Sequence, residues 1–158
     1  MVRVNIGAIL GAFESVSECT TFTVHGRPRG KGRPRAAYIG GHVRMYTDRN
    51  TVEYEREIAN AYRAAGGDIH DGPVSVFVHC VFPVPQSVNK RTREMMLSGE
   101  MWPNNKPDGD NVLKAVLDGL NKVAYHDDTQ VGAVVLTRAF GEEGCVQVEV
   151  NKLHGRFK

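Results

Sequence analysis

Apolar and polar positions change period along the chain often enough to mark out its elements. Thr20 to His25 alternates weakly, with Phe22 and Val24 on one side, and predicts a first strand. Gly26 to Gly41 contains seven Gly or Pro residues, too many for either regular element, and predicts a loop. From about Asn50 to Ala65 the period becomes helical. Tyr54, Ile58, Ala61, Tyr62 and Ala65 share one face, Asn50 with Glu53 resembles a capping box, and Gly66-Gly67 ends the helix. Val74 to Phe82 is β-branched and apolar on both faces, the pattern of a buried central strand, and Pro83 and Pro85 stop it. Residues 86–107 predict a long polar connection with a short helix around Arg91 to Leu97. A further helix runs from about Asp110 to Lys122, with Leu113, Val116, Leu117 and Leu120 as its apolar stripe. Val131 to Phe140 and Cys145 to Leu153 read as two strands joined by a tight turn at Gly141-Glu-Glu-Gly144. The order β-α-β-α-β-β predicts an α+β fold: a mixed β-sheet of about four strands with helices mainly on one face.

Composition adds bounds to this picture. A chain of 158 residues with 41% hydrophobic and 24% charged positions is globular in character, and its length fits one domain. Residues 1–18 carry no clear pattern and are treated as an N-terminal arm, leaving 19–158 as a single domain. Twenty Lys and Arg against 18 Asp and Glu leave a net charge of +2, which excludes coating nucleic acid by bulk charge. No apolar run approaches the ~18 residues of a membrane span, and Ile6 to Phe13 lacks a convincing small-residue cleavage site. Cys19, Cys80 and Cys145 form no CxxC pair, which argues against a disulfide framework and a zinc site. No membrane association and a cytoplasmic location are therefore expected.

The near-neutral total hides local segregation. Arg27, Arg29, Lys31, Arg33 and Arg35 place a cation at every second position, and no acidic residue occurs between Cys19 and Tyr46. Gly and Pro keep this stretch out of a helix. In an extended chain alternate side chains face one way, so the five cations can form a comb that tracks a polyanion's backbone. A solvated flexible loop is the plainer alternative. Lys90, Arg91 and Arg93, together with Trp102 and Met95, Met96 and Met101, make the second long connection another candidate DNA contact.

The acidic residues gather further along, in Lys106-Pro-Asp108-Gly-Asp110-Asn111-Val-Leu-Lys114, then Asp118, then Tyr125-His-Asp127-Asp128-Thr-Gln130. Asp108 and Asp110 at i, i+2 before a helix can converge on one point, with Asp110 as a natural N-cap. Asp110, Lys114 and Asp118 fall together on a face away from the apolar stripe, so ordinary i, i+4 ion pairs compete with any chemical role. One member of the Asp127-Asp128 pair can join the first two, giving a set of hard oxygen ligands that suits Mg²⁺ or Mn²⁺. An EF-hand is excluded because Val112 and Gly119 stand where ligands are required, and no Walker A motif is present.

In this order and spacing the acidic stretch, with Leu117-Asp118-Gly-Leu120-Asn121 between its halves, resembles the signature of RusA-type Holliday-junction resolvases. Lys31-Gly-Arg-Pro-Arg35 resembles the basic motif of phage and prophage members. The resemblance spans roughly Thr21 to Phe140. It implies a Mg²⁺-dependent homodimeric endodeoxyribonuclease that nicks symmetric strands of a four-way junction. It also implies Asp108, Asp110 and Asp128 as metal-binding carboxylates and Lys114 as the functional lysine. Arg27, Arg29, Lys31, Arg33, Arg35, Lys90, Arg91, Arg93 and Lys106 are the candidate DNA contacts. A non-catalytic branched-DNA-binding module, whose acidic cluster caps a helix or holds a structural metal, is the alternative. A DxD-type nucleotide-sugar transferase is disfavoured because 158 residues leave little room for donor and acceptor sites.

Overall fold

The computed structural model describes residues 18–32 and 35–154, so the expected arm at 1–18, apart from Glu18, and Arg33 of the basic segment lie outside the described residues. The elements are β1 (Cys19–His25), β2 (Arg35–Ile39), β3 (His42–Tyr46), α1 (Arg49–Ala64), β4 (Val74–Pro83), α2 (Lys90–Leu97), α3 (Gly109–Leu120), a 3₁₀ turn (Asp128–Gln130), β5 (Val131–Gly141) and β6 (Cys145–Lys152). β1, β6, β4 and β5 form one four-stranded sheet in that order. β4 is parallel to β5 and antiparallel to β6, and β1 is antiparallel to β6. The sheet is therefore mixed and the fold is α+β, as its periodicities predict.

β4 occupies an interior position because its apolar residues serve both the ladder and the core. Val74, Val76, Val78, Cys80 and Phe82 are buried with Val146, Val148 and Val150 of β6, Tyr54, Ile58 and Tyr62 of α1, and Val112, Ala115, Val116 and Leu120 of α3. The rings of Phe22 and Tyr62 meet edge to face at 5.8 Å, fastening α1 to β1.

The buried face of α3 differs from the expected stripe. Val112, Ala115, Val116, Gly119 and Leu120 are buried, whereas Leu113 and Leu117 are only partly covered. Gly119 explains the rotation. A Cβ there would lie 2.9 Å from the Glu55 carbonyl oxygen and 3.0 Å from Ile58 Cβ, so α1 approaches α3 across its small residues. Hydrophobicity favours the leucines, but close helix packing favours Ala115 and Gly119.

Three further differences concern connections. The expected loop at 26–41 contains β2, which forms a separate two-stranded sheet with β3 through the two-residue turn Gly40-Gly41. Both glycines have positive φ, 61° and 84°, the requirement of a tight hairpin turn. α1 is capped by Asp48, whose side chain accepts from the Asn50 amide at 3.3 Å, rather than by Asn50. The turn at 141–144 does not join neighbouring strands, because β4 lies between β5 and β6. It passes over the end of β4, held by Val84 N–H donating to Gly141 O at 3.0 Å and Gly26 N–H to Gly144 O at 2.9 Å. Among the described residues no helix is long and apolar enough to cross a membrane.

Candidate active site

The start of α3 is the best-defined part of the site. Asp108, rather than Asp110, takes the N-cap position, with the extended backbone such a residue needs (φ −65°, ψ 150°). Its side chain nevertheless makes no capping hydrogen bond and stands half-exposed, 3.3 Å from Lys106 Nζ. Asp110 follows in the first turn and is exposed, and Lys114 is exposed one turn later. The helix N-terminus favours both carboxylates electrostatically.

Arg138 fixes the approach to this helix. Its Nη2 donates to Asn105 O at 2.6 Å and to Pro107 O at 3.2 Å, while its guanidinium lies over the Phe82 ring at 4.8 Å. A Cβ on Gly109 would meet Leu136 Cδ2 at 2.6 Å, so glycine lets α3 begin directly against β5. The sequence reading missed Arg138. Its one signal is that it is the only charged residue in β5.

The basic segment runs beside the same loop. Arg27 Nη2 donates to Lys106 O at 3.2 Å. Gly30 packs where a Cβ would lie 2.9 Å from Pro107 Cβ, Lys31 N–H donates to Asn111 O at 2.9 Å, and Gly32 N–H donates to Thr51 Oγ1 at 3.0 Å. Lys31 points inward, ion-paired with Asp118 of α3 and 3.1 Å from Glu55 of α1. Burial alone would lower its pKa, but the hydrogen bonds it donates to both carboxylates raise it above the ordinary lysine value. Arg29 stands over the Tyr54 ring at 5.4 Å and 3.7 Å from Glu57. Lys31 therefore leaves the row of parallel cations expected of an extended chain. Flanking glycines let the backbone press into the gap between α1 and α3, where two carboxylates await an ammonium.

The second acidic pair divides its work. Asp127 accepts from Thr129 N–H at 3.1 Å, and Gln130 Oε1 accepts from the Asp127 N–H at 3.1 Å, closing a capping box. The hydrogen bonds from Thr129 hold the Asp127 carboxyl below the usual carboxylate range. Asp128 is exposed. Nearby in sequence, Tyr125 Oη donates to Leu117 O at 2.7 Å, and the Tyr125 pKa is pushed up by burial first and then by Asp118 and Asp128. Asp108 and Asp110 stand two residues apart at the start of α3, and Asp128 opens the 3₁₀ turn before β5. Among the described residues no three His, Cys, Asp or Glu side chains gather closely enough to hold a metal ion. The oxygen donors suit a hard divalent cation in kind, but a single chain supplies only part of a coordination set at Asp108.

Of the remaining candidates, Arg93 is ion-paired with Glu142, Lys90 lies 4.0 Å from Glu94, and Arg91 is exposed. Arg27, Arg93, Gln86 and Asn105 line a cleft of about 500 Å³ leading toward the Asp108 loop. Arg35 opens β2. Trp102 is 70% exposed, beside Met101 and Phe140.

A family model described as Endodeoxyribonuclease RusA matches residues 25–151. The chain is also 34% identical over 139 residues to the uncharacterized protein YqaN of Bacillus subtilis (strain 168), covering 86% of this chain and 98% of that protein. The family match takes in every element from the end of β1 into β6, with Asp108, Asp110, Lys114 and Asp128 all inside it. On this ground the chain belongs to the RusA endodeoxyribonuclease family.

Proposed function

We propose that this chain is a Mg²⁺-dependent endonuclease that resolves four-way DNA junctions by paired symmetric nicks, acting as a homodimer. The observation that supports it most is Asp108, a carboxylate in an N-cap position that does not cap. Its half-exposed side chain meets the exposed Lys106 instead, and Arg138 holds the loop that carries it.

Asp108 and Asp110 would hold the cation, Mg²⁺ or its substitute Mn²⁺, through hard oxygen ligands. When bound, such ions supply an activated water and neutralise charge on the leaving oxygen of a phosphodiester. Lys114, on the same helix face, would neutralise or protonate that oxygen. Arg27, Arg29 and Lys106 would hold flanking phosphates. Because no three carboxylates gather to hold a metal among the described residues of one chain, Asp128 of a second copy would complete the site. An isologous dimer then carries two identical composite sites, which suits the near-twofold symmetry of a four-way junction and its need for two opposed cuts.

Cleavage of a synthetic four-way junction, a fork and a linear duplex, each with and without Mg²⁺, tests the reading. Paired nicks confined to the junction and dependent on the ion are expected. Tight junction binding with no cleavage at any ion concentration would overturn it in favour of a non-catalytic branched-DNA-binding module.

A further inference from the structure

The β2–β3 hairpin is a ribbon with two unlike faces. Cross-strand pairs share a face, and the pairs here are Ala36 with Met45 and Tyr38 with Val43. That face is wholly apolar and open to solvent: Tyr38 is 76% exposed, Val43 65% and Met45 64%. His42, Arg44 and Tyr46 alternate onto the other face. Among the described residues the ribbon makes no extensive contact with the main sheet or the helices. A two-stranded ribbon alone is marginally stable in water, and an exposed apolar face of this kind marks an interaction site.

Charge and position identify the occupant. The ribbon belongs to a stretch with no acidic residue from Cys19 to Tyr46, and it follows directly on the basic segment. Its root is tied to the core where Gly32 bonds Thr51 and where Gly30 packs on Pro107, next to Asp108. Any polyanion seated at Asp108 and Asp110 therefore passes the base of the hairpin. Two strands ~4.8 Å apart make a ribbon narrow enough to enter a DNA groove.

We propose that the β2–β3 ribbon is the branch-reading element, laying Tyr38, Val43 and Met45 against bases unstacked at the DNA crossover while Arg44 faces phosphate. This rests on the branched-DNA reading above. Bases at a crossover have already lost part of their stacking, so an apolar insertion is less unfavourable there than in duplex. Charge attracts any DNA, whereas this face distinguishes a branch.

The test compares the full chain with Tyr38→Ser/Met45→Ser and with Arg44→Ala. Binding is measured to a four-way junction bearing 2-aminopurine at the crossover and to a duplex of equal length. The double variant should bind the junction about 10-fold more weakly and lose the 2-aminopurine response. Its duplex affinity, sedimentation and unfolding temperature should remain those of wild type. Arg44→Ala should weaken binding to both DNAs and reduce the salt slope by about one. Unchanged junction affinity in the double variant overturns the proposal. A shift to monomer overturns it by placing a second copy on this face, and a fall in unfolding temperature overturns it by placing the face within the fold. If wild type binds junction and duplex equally well, the branched-DNA reading falls too, which separates the two failures.

Discussion

Lys31 ion-pairs with Asp118 across 87 positions of sequence, and the same ammonium lies 3.1 Å from Glu55. One basic residue thereby ties the segment after β1 to both long helices, and so to the helix that begins at Asp108. Lys31→Met should lower stability by about 1–3 kcal/mol, because it leaves two half-buried carboxylates facing each other without a cation. Its raised pKa means this stabilisation is present below the unfolded lysine value of 10.5 and is lost as pH rises through the folded value. Denaturant unfolding reads the loss. The salt slope of duplex binding should not change, and a slope lower by about one would instead make Lys31 a phosphate contact.

Asp110→Asn and Asp128→Asn should each reduce junction cleavage on the order of 100-fold or more while junction binding persists. Asp127→Asn should be milder, since an amide oxygen still accepts from Thr129 N–H. Mixing the Asp110→Asn and Asp128→Asn proteins, after exchange of subunits, should restore cutting at one site per mixed dimer. Sites built within one chain would show no restoration, because every site would then lack a carboxylate.

Arg138 holds the Asn105–Pro107 loop by two carbonyl contacts, which makes it a positioning residue for Asp108. Arg138→Leu keeps the packing near Gly109 but removes both bonds. Cleavage in Mg²⁺ should fall with junction affinity little changed, and Arg138→Lys should recover part of the rate. A parallel loss of affinity and rate would make Arg138 a direct DNA contact.

His70 is buried, with its Nε2 3.5 Å from Tyr62 Oη, and burial lowers its pKa despite the opposing influence of Glu18. The folded chain therefore binds this proton less readily than the unfolded one. Its contribution to stability is present above the ordinary histidine value of 6.5 and is lost as pH falls below it. Thermal unfolding between pH 7.5 and 5.5 should show a decline that His70→Gln reduces. An identical decline in the variant would assign acid sensitivity to other groups.

Local pattern determined the main elements of this protein. The apolar run of β4, the helical spacing of α1 and α3, the short helix after Asn89, and the strands on either side of Gly141-Glu-Glu-Gly144 were all legible, because period and turn residues act over a few positions. The ordered acidic motif was legible for the same reason. Tertiary structure alone decided the rest. Gly119 allows α1 to approach α3 and so turns the helix away from its leucine stripe. β4 separates β5 from β6, so a turn that reads as a hairpin becomes a crossover. Lys31 faces carboxylates of both helices instead of joining a row of cations. Each outcome depends on which distant surfaces meet and how closely, and that is fixed by packing volume and charge in three dimensions rather than by the spacing of residues along the chain.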